Sequence, residues 1–407
     1  MTEHEQAQVG PSWGQRLAGL DGLRGIALLA VILAHTIILL PGPAGYSAVL
    51  VKLTGLLVHG LTFFFVLSAF LLYRPYASAA IKGRVAPPTR EFYRNRILRI
   101  WPAYLVILAI VGWGFGLAVT DNSIANSDRL GYLTDPLQIV LNILLLQGWV
   151  PSTAFTGLGV SWSLVTEAAF YALLPLLGLL AVRLARTRRG VVAALIPAFM
   201  FLIAGEAGRL ITLSINDWVD IDFTSTWLAV FNRSIIGQGD LFGLGMITAV
   251  VIVSSDRASE AALRRLRIGA WSLLFLSGFV ILAIGSGEIA TPFMGLLFAC
   301  GITVTQLPKR DRLSRTVVRI MEMPPARLAG EYSLSCYLWH YPVVWFLREH
   351  FHDQVIYNST GHVLISYVIV VVPTVILGTI TYHLVERPAM RRKHRTDVPA
   401  GTIKTVG

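Results

Sequence analysis

The chain of 407 residues is 55% hydrophobic and only 14% charged, against the roughly 25% charge of an ordinary soluble domain. Its apolar residues fall in runs of about 20, the length that crosses a bilayer, which excludes a soluble globular fold and predicts an all-α polytopic membrane protein. The formal net charge of +11 sits in the segments between those runs, as membrane orientation requires, which argues against nucleic acid as a partner.

Ten spans are predicted, near 18–40, 50–73, 100–119, 160–182, 190–214, 228–253, 268–286, 288–306, 331–351 and 363–385. The polar segment 1–17 carries Arg16 as its one Lys or Arg and no small-residue cleavage site follows it, so the first run reads as a retained signal-anchor. With the N-terminus inside, the inner loops are 74–99, 183–189, 254–267, 307–330 and the tail 386–407. They carry 7, 4, 4, 6 and 6 Lys and Arg, together 27 of the chain's 34. The outer stretch 120–135 holds Asp121, Asp128 and Asp135. This is the positive-inside asymmetry; it puts both termini in the cytoplasm of a multi-pass protein of the cell membrane, bacterial in character, and leaves the basic excess facing anionic lipid. The domain organisation is then a polar N-terminus 1–17, a membrane domain 18–388 and a basic tail 389–407. Residues 137–149 are apolar but too short to span, and counting them would turn the Arg-rich 183–189 outward. A re-entrant or outer-leaflet helix is expected there. Cys300 and Cys336 lie in apolar runs, with neither a disulfide framework nor the spacing of metal ligands.

Four groups of polar residues interrupt the apolar runs. Arg24 and His35 sit eleven positions apart in LDGLRGIALLAVILAHTIILL. Eleven residues of helix turn roughly 1100° and rise about 16 Å, so the two side chains fall within about 20° on one stripe. A cation near the inner face and an imidazole near the midplane thus share a helix face. Ionisable groups at that depth cost roughly 2.5–3.5 kcal/mol on insertion scales and line a bundle interior or a wet cavity. Taken singly, Arg24 also reads as a snorkelling anchor and His35 as a packing residue.

Arg94, Arg96 and Arg99 open the third span, and the last two, three apart, face the same way. They read either as positive-inside flanks or as a guanidinium clamp for phosphates. Trp162 and Ser163 lead into Glu167, a carboxylate inside a span that needs a partner. An imidazole whose tautomer it holds and a structural hydrogen bond both meet that need. His340 lies mid-span in YLWHYP, where Pro342 frees a backbone carbonyl one turn back. It reads as a further site residue or as the group that satisfies that carbonyl. Glu386 beside Arg387 reads as a structural ion pair.

In order along the chain, LDGLRGIALLAVILAH, FFFVLSAFLL, RNRILRIWPAY, SWSLVTEAAFY, GDLFGLGM, YSLSCYLWHYPV and ERP resemble the acyltransferase 3 family. These integral-membrane acyltransferases modify surface polysaccharides, glycolipids and some secondary metabolites such as macrolides. The resemblance runs from residue 20 to 388 and implies the stand-alone form, without a C-terminal esterase-like domain. It implies His35 as the essential histidine with Arg24 its companion, and Arg96 and Arg99 as the pair associated with acyl-coenzyme A at the cytoplasmic face. Glu167 matches the acidic position after the Trp-Ser-Leu, and His340, Ser163 and Trp162 join as further candidates. Thr62 stands where many relatives carry an acid, Ala69 where glycine is usual, and Ala168 where a second glutamate is common.

The expected reaction is transfer of an acetyl or other short acyl group from acyl-coenzyme A, without a metal, to a hydroxyl of a carbohydrate, glycolipid or other acceptor. His35 would act as general base or as an acyl-histidine relay. The residues alone also suit a proton-coupled secondary transporter or flippase. The missing repeat of paired half-length segments counts against that alternative.

Overall fold

Gly19, in the left-handed region at φ 86°, turns the chain into α1 (Leu20–Leu39), and its N–H donates to Glu322 Oε1 at 2.6 Å. The computed structural model describes residues 17–40, 48–121, 129–216, 226–285, 287–351 and 360–392. The polar segment up to residue 16, Asp128 and the tail from residue 393 lie outside the described residues.

After α1 come α2 (Ala48–Leu57), α3 (Gly60–Lys82), α4 (Thr89–Ala109), α5 (Pro136–Leu144), α6 (Trp162–Leu184) and α7 (Gly190–Asn216). Then follow α8 (Trp227–Arg233), α9 (Gly239–Ser255), α10 (Glu260–Ile284), α11 (Thr291–Gln306), α12 (Arg312–Met321) and α13 (Pro324–Glu331). The chain closes with α14 (Ser333–His350), α15 (Thr360–Thr381), a π-helical segment Tyr382–Glu386 and α16 (Arg387–Arg391). Among the described residues, seven helical stretches are long and apolar enough to cross a membrane. Three further expected spans correspond to shorter or more polar helices: α9 with 17 residues, α11 with 16 and α14 with 18.

The central helix is α3, packed on α1, α6, α7, α9 and α11. It closes tightly on α9: a Cβ on Gly245 would lie 2.2 Å from the Val66 carbonyl oxygen and 2.7 Å from the Ala69 methyl. Ala69 is accommodated there because the residue across from it is a glycine. At its N-terminal end α1 is crossed by α13 at backbone contact. A Cβ on Gly330 would lie only 1.7 Å from the Asp21 carbonyl oxygen. That crossing holds the helix turn bearing Arg24 in place.

Several expected spans are redrawn. The second, expected over 50–73, is split between α2 and α3 and runs on to Lys82. The third begins earlier, at Thr89, and after Ala109 widens into π turns through Phe115, where Gly116 at φ 61° ends it. The chain then forms β1 (Ala118–Asp121), paired antiparallel with β2 (Arg129–Gly131), a small ribbon whose first two residues fall inside the expected span. The sixth, expected unbroken over 228–253, is cut between α8 and α9. There Ser234 Oγ accepts from the N–H groups of Ile236 and Gly237 at 3.2 Å each, a side-chain turn that competes with the helix ladder.

Over 137–149 the observed helix is α5, nine residues or about 13.5 Å, too short to cross. Asp135 caps it by accepting from Gln138 N–H at 2.8 Å, and Tyr104 of α4 donates to the carbonyl of its buried Asn142 at 2.9 Å. A second polar knot lies in the bundle. Arg209 of α7 reaches Asp240 of α9 and Glu288 at 2.7 Å each, with Arg209 and Asp240 both buried.

Candidate active site

Helices α1, α3, α4, α6 and α14 enclose a cavity of about 110 Å³. Arg24 enters it from α1, Arg96 and Arg99 from the middle of α4, Glu167 and Tyr171 from α6, and Tyr337 from α14. Much of the remaining wall is apolar and comes from α3, including Phe64, Phe65 and Leu71. Three guanidinium groups therefore meet one apolar chamber, an arrangement suited to an anionic ligand with a slender apolar or uncharged arm.

The three arginines are held differently. Arg24 contacts Asp21, one turn back, with Nη1 3.6 Å from Oδ1. Arg96 lies with its guanidinium carbon 5.8 Å above the Tyr171 ring, and its Nε is buried without a hydrogen-bond partner among the described residues. Arg99 pairs with Glu386: Nη1 is 2.8 Å from Oε1, and Ser335 Oγ donates to Oε2 at 2.8 Å. The ion pair expected between Glu386 and Arg387 is thus replaced by one to Arg99, because the π-helical turns over 382–386 carry the carboxylate inward, where it is fully buried.

His35 stands further along α1. Its Nδ1 lies 2.9 Å from the Val31 carbonyl oxygen and 3.4 Å from Nε2 of His340, and the two rings meet edge-on with centroids 4.9 Å apart. His340 is fully buried, and its Nδ1 faces the Tyr337 carbonyl. The carbonyl freed by Pro342 belongs to Leu338, so His340 does not play the expected part of satisfying it. The Tyr337 ring, on the cavity wall, stands 5.3 Å from that of His340. Cavity and histidine pair are joined through this tyrosine.

Glu167, expected beside the imidazole, stands on the arginine wall instead. The described neighbours of His35 are Val31, His340 and the Tyr341 ring, 5.6 Å away. Ser163 lines the cavity and shares a 2.8 Å hydrogen bond with the Tyr337 hydroxyl. Trp162 points elsewhere, towards Phe65 and towards Arg233, whose guanidinium carbon is 5.7 Å from its ring. Sequence reasoning assigned nothing to Tyr337, Tyr171 or Ser68, the last of which shares a 3.3 Å hydrogen bond with the Tyr171 hydroxyl. Tyr337 precedes His340 by three positions, one helix face, and that spacing was the available signal.

The family model described as an acyltransferase domain matches residues 17–383. The chain belongs to the acyltransferase 3 family. It is 23% identical over 394 residues to the O-acetyltransferase OatA of Staphylococcus aureus, across 92% of this chain and 57% of OatA. YrhL of Bacillus subtilis, named provisionally as a peptidoglycan O-acetyltransferase, is 24% identical across 93% of this chain and 56% of YrhL. The acyltransferase MdmB of Streptomyces mycarofaciens is 27% identical, and the match covers 92% of both chains. This acyltransferase domain thus spans little more than half the length of OatA and YrhL and nearly all of MdmB. No solved structure matches it.

Proposed function

We propose that the chain is a membrane O-acyltransferase that moves an acetyl or other short acyl group from acyl-coenzyme A to a hydroxyl of a carbohydrate or glycolipid, at or across the membrane. The observation that carries this reading is the single cavity shared by Arg24, Arg96, Arg99 and Tyr337, with the His35–His340 pair directly behind that tyrosine. The names of OatA and YrhL, each an O-acetyltransferase, support acetyl transfer to oxygen, and that of YrhL supports a cell-wall acceptor.

Arg96, Arg99 and Arg24 bind the phosphates of the donor at the inner rim, where guanidinium forks match phosphate oxygens. Glu167 on the same wall offsets their mutual repulsion before the donor arrives. The thioester arm lies along the apolar wall of α3 and reaches His35. Neutral His35 takes the proton of the acceptor hydroxyl as its oxygen attacks the thioester carbonyl, worth roughly 10²–10⁴-fold as general-base catalysis. The C–S bond breaks, and the coenzyme A thiolate receives that proton.

The test is incubation of the purified protein with radiolabelled acetyl-coenzyme A, with and without a carbohydrate acceptor. Labelled ester on the acceptor is the expected product. No transfer and no thioester hydrolysis, together with ligand-driven flux in proteoliposomes, would replace the enzyme with a transporter.

A further inference from the structure

The hydrogen-bond geometry around His340 fixes which nitrogen of His35 is available for chemistry. A carbonyl oxygen only accepts, so His340 Nδ1, facing the Tyr337 carbonyl, carries the hydrogen. A neutral imidazole has one N–H, which leaves His340 Nε2 as a bare lone pair. That lone pair lies 3.4 Å from His35 Nδ1. The same Nδ1 is 2.9 Å from the Val31 carbonyl, so two acceptors converge on it and it too must carry hydrogen. The bare nitrogen of His35 is therefore Nε2.

We propose that His340 is a positioning residue for the acyl transfer: its Nε2 shares His35 Nδ1–H with the Val31 carbonyl and steers the ring of the tautomer whose Nε2 is the base. The inference rests on the reading of His35 as that base and adds its partner. When Nε2 takes the proton of the acceptor hydroxyl, the imidazolium keeps Nδ1–H on His340, which shares the charge through that hydrogen bond. The Nε2 proton then passes to the coenzyme A sulfur as the thiolate departs, and His340 ends the cycle with the proton it began with. In hydrolases a carboxylate does this orienting work; here a buried neutral ring does so, without placing a second full charge at membrane depth. Tyr337 anchors the arrangement from below. Its hydroxyl donates to the Val160 carbonyl at 2.9 Å and is 2.8 Å from Ser163 Oγ, which fixes the helix turn whose carbonyl orients His340.

Two variants and one spectrum test this. His340→Phe keeps the bulk and removes the acceptor, whereas the amide oxygen of His340→Gln can still accept from His35. Loss of an orienting partner of this kind costs roughly 10–100-fold in activity. We expect that loss in kcat for His340→Phe with KM for acetyl-coenzyme A unchanged, and recovery of most of it in His340→Gln. Nitrogen-15 NMR of histidine-labelled wild-type protein, with His35 assigned by its absence in His35→Gln, should find His35 protonated at Nδ1. Full kcat in His340→Phe, or His35 protonated at Nε2 in the wild type, overturns the proposal. Should His340→Phe fail to fold, the His340 signal of the wild type, assigned by its absence in His340→Gln, decides: protonation at Nδ1 leaves Nε2 to accept as proposed, and protonation at Nε2 overturns the proposal. An active His35→Ala would instead overturn the base assignment itself, while an inactive His35→Ala beside a fully active His340→Phe overturns only the positioning role.

Discussion

Arg99 and Glu386, 287 positions apart in the sequence, form an ion pair with Nη1 2.8 Å from Oε1, and the carboxylate is fully buried. The pair gives Arg99 two tasks, closing the end of the last helix onto α4 and presenting positive charge to the cavity. Removing the arginine leaves a buried carboxylate uncompensated, which costs about 3–5 kcal/mol. Arg99→Ala is therefore expected to lower the melting temperature in detergent as well as to weaken donor binding. Unchanged melting with only KM raised would show that the pair is not structural.

Arg96 separates the two tasks. Its guanidinium rests over Tyr171 and makes no ion pair among the described residues, while its buried Nε lacks a partner there. Charge-assisted phosphate contacts are worth roughly 1.5–3 kcal/mol. Arg96→Gln should raise KM for acetyl-coenzyme A about tenfold or more by that measure, with melting little changed. A collapsed kcat at unchanged KM would remove Arg96 from donor binding.

The knot around Arg209 lies apart from the cavity and should respond differently. Arg209→Met leaves Asp240 and the Glu288 carboxylate facing each other without the cation that both contact at 2.7 Å. A loss of about 3–5 kcal/mol is expected, and Asp240→Asn in the same chain should recover part of it. Thermal melting of the two variants measures this. Equal melting of Arg209→Met and wild type would mean that the knot contributes nothing to stability.

Much of this was legible in the sequence for physical reasons. The eleven-residue spacing of Arg24 and His35 specified a shared stripe because α1 is an unbroken helix from Leu20 to Leu39. The apolar runs located the long helices because a bilayer demands length. What escaped was contact between distant segments. His340 and His35 are separated by 305 positions, and periodicity within α1 or α14 says nothing of which helices are neighbours. The break between α8 and α9 escaped because hydropathy averages over Ser234 and Gly237, whose effect is through hydrogen bonds rather than polarity. Glu167 was expected beside an imidazole because a buried carboxylate needs a cation or donor. In the structure it lines the same cavity as Arg24, Arg96 and Arg99.

Sidedness follows from the depth of the two ends of the site. The loop charges of the sequence predict that the Arg96 and Arg99 rim faces the cytoplasm, and helix rise puts His35 about 16 Å beyond Arg24. A donor docked at the rim reaches that depth only by its extended arm, which leaves the outer side to the acceptor. Sealed right-side-out vesicles loaded with acetyl-coenzyme A should acetylate an impermeant acceptor added outside, whereas donor added outside should fail. Transfer only with both substrates on the cytoplasmic side would confine the reaction to an inward-facing pocket.

The most direct measurement is single-turnover acetyl transfer by purified His35→Ala, beside wild type, from radiolabelled acetyl-coenzyme A to a carbohydrate acceptor. With His35 as the base, transfer should fall by at least the roughly 10²-fold of general-base catalysis while donor binding and melting temperature stay close to wild type. Near-wild-type turnover in that variant would contradict the assignment of the chemistry to His35.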